Sequence, residues 1–170
     1  MPSPEVWLRG PLADVPPLLQ PVAHSLMQSR EEFGLQLPEL SPADLAARPG
    51  GAASVGYHVR HAAGSIDRLF TYARGESLSR EQLAWLAAEG VEDETAGAGA
   101  RLLAQVEGAI DRALSQLRAT DESSLLEVRT VGRARLPSTV LGLLVHAAEH
   151  TQRHVGQLVT TARIVRATQR

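Results

Sequence analysis

The sequence predicts an all-α fold: a four-helix bundle carrying two short accessory helices. Three observations lead there. Four long segments repeat apolar residues every three or four positions, the spacing of one helix face. Cap and stop residues bracket those segments. Period-two alternation, the mark of a strand, is weak, and no internal repeat or low-complexity tract interrupts the pattern. At 170 residues the chain has the size of one domain, long enough to bury roughly two thirds of its unfolded surface. Residues 1–170 are therefore read as a single bundle.

The first long helix follows the Pro-rich stretch Asp14-Val-Pro-Pro, with Leu18, Leu19, Val22, Leu26 and Met27 on one face. Pro21 belongs in its first turn, where the missing N–H costs little, so the helix is expected to start near Leu18 and to stop at Gly34. Ser41 caps a short helix through Arg48, with Pro42 at its first position and Pro49-Gly50-Gly51 as its stop. The second long helix runs from about Ser54 to Arg74, stopped by Gly75, with Val55, Ala62, Ile66, Leu69 and Ala73 in line with His58. Ser79 and Gln82 form a capping box opening a second short helix that ends at Gly90. The acidic link Glu92-Asp-Glu-Thr95 leads into the third long helix, about Thr95 to Arg118, whose stripe is Leu102, Val106, Ile110, Ala113 and Leu117. Residues 121–136 read as an irregular connection with at most a short extended piece at 126–130. Pro137-Ser138-Thr139 then reads as the start of the fourth helix, which reaches at least Arg166. The two links of about 20 residues allow either antiparallel neighbours or crossovers.

Composition removes whole classes of chemistry. The chain has no Cys, no Asn and no Lys; its 17 basic residues are all Arg. A disulfide, a thiolate nucleophile, a Cys-ligated metal site and a Schiff-base lysine are excluded. Net charge is −2, so no global field draws the protein to nucleic acid or to an anionic membrane. From residue 129 onward seven Arg face one acid, Glu149, but this basic helix has no interleaved aromatics. That pattern suits pairing with acidic neighbours better than a phosphate backbone. The start, Met1 to Glu5, lacks the basic and apolar regions of a leader, and no 18-residue apolar run occurs. A soluble cytoplasmic protein is expected.

The histidines carry the chemistry. Of six, three recur in the fourth helix as His146-Ala-Ala-Glu-His150-Thr-Gln-Arg-His154. Each is rotated by about 40° and raised by about 6 Å from the last. Neighbours at this spacing can both bond one metal ion, whereas the outer pair lie about 12 Å apart along the axis. One adjacent pair ligates and the third residue does something else. In the second long helix, Tyr57-His58-Val-Arg-His61 offers a third ligand from either His58 or His61. Three imidazoles from two helices leave an open coordination position, as catalysis requires. The competing reading is a polar seam in which His pairs with Glu149 or Asp67.

The stretch Ser54-Val-Gly-Tyr-His-Val-Arg-His61-Ala-Ala-Gly-Ser-Ile-Asp67-Arg-Leu, followed by Tyr72-Ala-Arg-Gly-Glu, resembles the histidine-bearing second helix of the DinB/YfiT-like (damage-inducible) metalloproteins. His146 to His154, continuing Val-Gly-Gln-Leu158, resembles that family's fourth-helix motif. The chain departs from the family pattern at Arg153, where a second His is frequent, and at Val155, where Arg is common. The resemblance implies a four-helix bundle holding one divalent metal through His61, His150 and His154. His58 and His146 then become pocket residues. It further implies a homodimer and a metal-dependent thiol S-transferase acting on a small electrophile with bacillithiol, mycothiol or glutathione. Zn or Ni is the expected metal, and Fe or Cu would also accept three imidazoles.

In that reading Asp67 or Glu149 orients a ligand ring, and His58 and His146 shuttle protons. A metal-dependent hydrolase is the alternative, with metal-bound water as nucleophile and Glu149 or His146 as the base. A non-enzymatic helical interaction module is the third reading. Tyr57 and Tyr72 read as packing residues.

Overall fold

The computed structural model describes residues 3–168. Met1 and Pro2, part of the start read for a leader, and Arg170 of the basic tail lie outside them. The four long helices are α1 (Gln20–Gln36), α3 (Val55–Ala73), α5 (Ala98–Ala119) and α6 (Val140–Thr168). The short helices α2 (Pro42–Ala46) and α4 (Arg80–Ala88) are the two accessory ones. The fold is all-α apart from one small hairpin, β1 (Val128–Val131) with β2 (Leu136–Thr139).

Local signals account for most boundaries. Ser54 accepts from the Tyr57 amide and caps α3, and Gly75 at φ 80° follows its end. Capping boxes open α2 at Ser41–Asp44 and α4 at Ser79–Gln82. At α5 the helix begins three residues later than the sequence suggests, after Gly97 at φ 79°.

Three expectations need correction. A 3-10 turn at Pro17–Leu19 precedes α1, which starts at Gln20 and runs through Gly34 to Gln36. Phe33 and Leu37 are both fully buried, and their burial carries the helix past a residue that costs about 1 kcal/mol in helical form. Residues 128–139 are a hairpin: its first strand overlaps the extended piece expected at 126–130, but a second strand follows where an irregular link was expected, Thr130 pairing with Pro137 and Val128 with Thr139. Pro137 is tolerated because both strands of a two-stranded ribbon are edges. Thr139 is nonetheless the cap of the fourth helix, its hydroxyl accepting from the Gly142 amide at 3.0 Å. The start signal is real, but it belongs to the last residue of a strand.

Around the bundle α6 lies between α1 and α3, and α5 lies on their other side. Helices α1 and α3 are therefore diagonal, as are α5 and α6, and two of the three long connections cross the bundle. Leu26, Phe33, Ile66, Ile110, Leu117, Leu144 and Leu158 are fully buried between the four helices, each stabilising the fold by about 1.5–3 kcal/mol. No helix among the described residues is long and apolar enough to cross a membrane. The most extensive helix contact is α3 against α6, and it sets the two histidine clusters face to face.

Candidate metal centre

On α3, His58 and His61 lie one turn apart. On α6, His150 and His154 lie one turn apart. Packing of the two helices brings one ring nitrogen from each of His61, His150 and His154 within 4.8 Å of one another. Of the residues singled out in the sequence, these three converge. His61 Nε2 lies 2.9 Å from His150 Nε2, and the His61 and His150 rings each stand 4.6 Å, centroid to centroid, from that of His154. Tyr57 stacks on His61 with ring centroids 5.5 Å apart and planes 12° from parallel, fixing the outer face of the imidazole.

His58 is buried and its Nδ1 is 3.0 Å from Nδ1 of His154. It thus supports a member of the trio from behind. His146 is exposed, its ring 5.4 Å from that of His150, and its Nδ1 is 3.1 Å from Glu149. Glu149 is itself exposed and ion-paired with Arg153. Glu149 touches none of the three converging rings. Asp67 does not either: it accepts from the Gln82 amide at 2.6 Å and stands 3.9 Å from Arg112.

The carboxylate that orients a ring is Glu89, at the end of the accessory helix α4, where no sequence motif marks it. Its side chain is 5% exposed. One oxygen is 2.7 Å from His61 Nδ1, and the other accepts from Arg68 at 2.5 Å. The contact places the proton of neutral His61 on Nδ1 and leaves the Nε2 lone pair facing His150. Arg60 ties down the same segment, donating to the Glu89 carbonyl and to Glu92, which also accepts from Ser54. Gly64 makes the approach feasible: a Cβ there would fall 2.6 Å from Glu89 and 2.7 Å from Arg68 and Trp85. The one legible signal was that Gly64, one turn after His61 on a helix face, needs a close neighbour.

Burial and neighbouring charge favour the neutral form of His58, His150 and His154. Burial pushes His154 down to about 3 and His150 down to about 4, each helped by the neighbouring imidazoles and Arg153. His58 is lowered by the same two causes, burial and the nearby His61. Neutral imidazoles present lone pairs at pH 7 and need lose no proton to bind a metal.

The residues fit a divalent ion. His150 Nδ1 is buried with no hydrogen-bond partner among the described residues. With the His150 proton on Nε2, that atom is a buried acceptor without a donor. With the proton on Nδ1, two Nε2 lone pairs face each other at 2.9 Å, an arrangement that a shared cation satisfies. Three imidazole nitrogen donors from two rigid helices, one ring locked by a carboxylate, suit Zn, Ni, Cu or Fe.

A helical bundle with three converging histidines defines the class, a candidate metal-binding four-helix protein. The chain belongs to the DinB superfamily, whose model matches residues 25–158. Among solved structures, a conserved protein from Enterococcus faecalis is similar with a TM-score of 0.73 and 19% identity, over 88% of this chain and 98% of its own. That likeness is one of fold. A search of curated protein sequences returns no match.

Proposed function

We propose that the protein is a metal-dependent thiol S-transferase, with His61, His150 and His154 as the metal ligands. The observation that carries the reading is the convergence of three imidazoles with one ring fixed by Glu89. A divalent ion held there would supply an open coordination position at which a thiol ionises near neutral pH. The chain has no Cys, so the thiol is external: bacillithiol, mycothiol or glutathione.

The chain's own part is positional. Glu89 holds the His61 tautomer, His58 holds His154, and Tyr57 screens His61 from water. His146, at the exposed edge beside His150, is placed to accept or return a proton, with Glu149 holding its Nδ1. Hydrolysis is the second reading, with His146 as its base, because Arg153 pulls the Glu149 carboxyl below its ordinary range and makes it the poorer general base. A small electrophile is the second substrate, and a homodimer the working state.

Elemental analysis of untagged protein is the first test: about one divalent ion per chain is expected, absent from His61→Ala. Metal-loaded protein with a thiol and a chromogenic electrophile should then show conjugation that stops when metal or thiol is left out. Turnover without thiol would replace this reading with hydrolysis. Wild-type protein free of stoichiometric metal would overturn the ligand assignment.

A further inference from the structure

A cleft of about 330 Å³ opens between α3, α4 and α5, at the small end of the range for small-molecule sites, roughly 300–1,000 Å³. Its floor is Ala63 and Gly64 from α3 with Ala104 and Ala109 from α5, and Trp85 of α4 stands at its side. The space persists because α4 contributes no buried residue to fill it. The indole is fixed, its N–H donating to the Arg60 carbonyl at 3.1 Å. Two flat helix surfaces of small side chains, closed by a fixed aromatic edge, match a planar apolar body.

Charge decides the head group. Among the lining residues Arg68 is committed to Glu89 and Ser65, and Asp67 to Gln82. Arg112 is not. Its side chain is 67% exposed, and among the described residues its single ion pair is a loose 3.9 Å to Asp67 and it makes no hydrogen bond. It folds back along α5, so that a Cβ on Gly108 would lie 3.4 Å from its Nη1, and the guanidinium overhangs the cleft. A planar fork with unused donors recognises a carboxylate. Asp67 and Glu81 border the same cleft, and their charge disfavours a dianion.

We propose that this cleft binds a flat aromatic monocarboxylate, its ring system seated on the Ala–Gly floor against Trp85 and its carboxylate paired with Arg112. The site is separate from the histidine centre and does not depend on the metal reading. Its inner wall is nevertheless shared, since Arg68 donates to Glu89 and Ser65, which contact His61 at Nδ1 and Nε2.

Isothermal titration of the metal-free full chain with 2-naphthoate tests it. Saturable one-to-one binding is expected. Arg112→Ala should weaken binding by about tenfold or more, the loss of one charge-assisted pair. Gly108→Leu, which places a side chain in the cleft on an already helical residue, should abolish it. 2-Naphthyl phosphate should bind more weakly than the carboxylate. Circular dichroism shows whether each variant keeps its fold. Absence of saturable binding to the wild type, or undiminished binding to folded Gly108→Leu or Arg112→Ala, overturns the proposal. Tighter binding of the phosphate overturns the monocarboxylate assignment.

Discussion

Two glutamates in this protein make the same pair of contacts, yet they differ in what they do. Glu89 bridges His61 Nδ1 and Arg68; Glu149 bridges His146 Nδ1 and Arg153. Glu149 and its partners all lie on the surface of one helix, at three- and four-residue spacing, with the carboxylate side chain 51% exposed. Water screens such a pair and the long side chains hold it loosely, so it contributes little. Glu89 is 5% exposed and reaches its partners across 28 and 21 residues of chain. There the charge has no solvent to fall back on. Removing it would strand a buried guanidinium and free a ring that the candidate metal centre needs fixed. The difference lies in burial, since the residue types are the same.

The comparison can be broken most directly at the rings themselves. His61→Ala and His154→Ala should each abolish stoichiometric metal uptake in equilibrium dialysis, while His146→Ala on the exposed side retains it. Next is Glu89→Gln, expected to lower metal affinity by about 10–100-fold and folding stability by about 3 kcal/mol, read by competition titration and by urea unfolding. Gly64→Ala should follow, destabilising by about 1–3 kcal/mol through overpacking against Glu89, Arg68 and Trp85. A smaller urea effect than the exposed Gly90→Ala would show that Gly64 is not needed for the close approach of Glu89.

Acid provides a gentler probe of the metal-free protein. Folded His154 and His150 titrate at about 3 and about 4, and His58 is also lowered, against an unfolded value near 6.5. Above 6.5 all three are neutral in both states and contribute no pH dependence. As pH falls through 6.5, the unfolded chain takes up protons that the folded chain refuses, so stability declines until the folded rings titrate. Melting temperature should drop between pH 7 and pH 5, and the drop should shrink in His154→Gln. Glu149→Gln closes the series: it should leave melting temperature and metal affinity unchanged, and any large loss would erase the contrast with Glu89.

Much of the molecule was legible because its signals are local. Ser54, Ser79 and Ser41 each accept from the amide three residues on, and Gly75 ends a helix through its own backbone freedom. The apolar stripes of the long helices need only the helical period to be read. The convergence of His61 with His150 and His154 followed from a family resemblance, since spacing left His58 and His146 as rivals. Outside that reach lay Glu89, the His58–His154 contact and the Thr130–Pro137 pairing, each joining residues with no fixed relation in sequence. The helix through Gly34 belongs with them, because the burial of Phe33 and Leu37 overrode a local stop.

The absence of Cys and Lys, the placement of most helix ends and the availability of neighbouring imidazoles on one helix face were determined by the sequence alone, because composition and the 3.6-residue turn are properties of the chain itself. Which imidazoles meet, which carboxylate holds them and which stays in water were decided only in the tertiary structure. Burial and cross-helix distance exist only once α3, α4 and α6 have packed, and those two quantities separate Glu89 from Glu149.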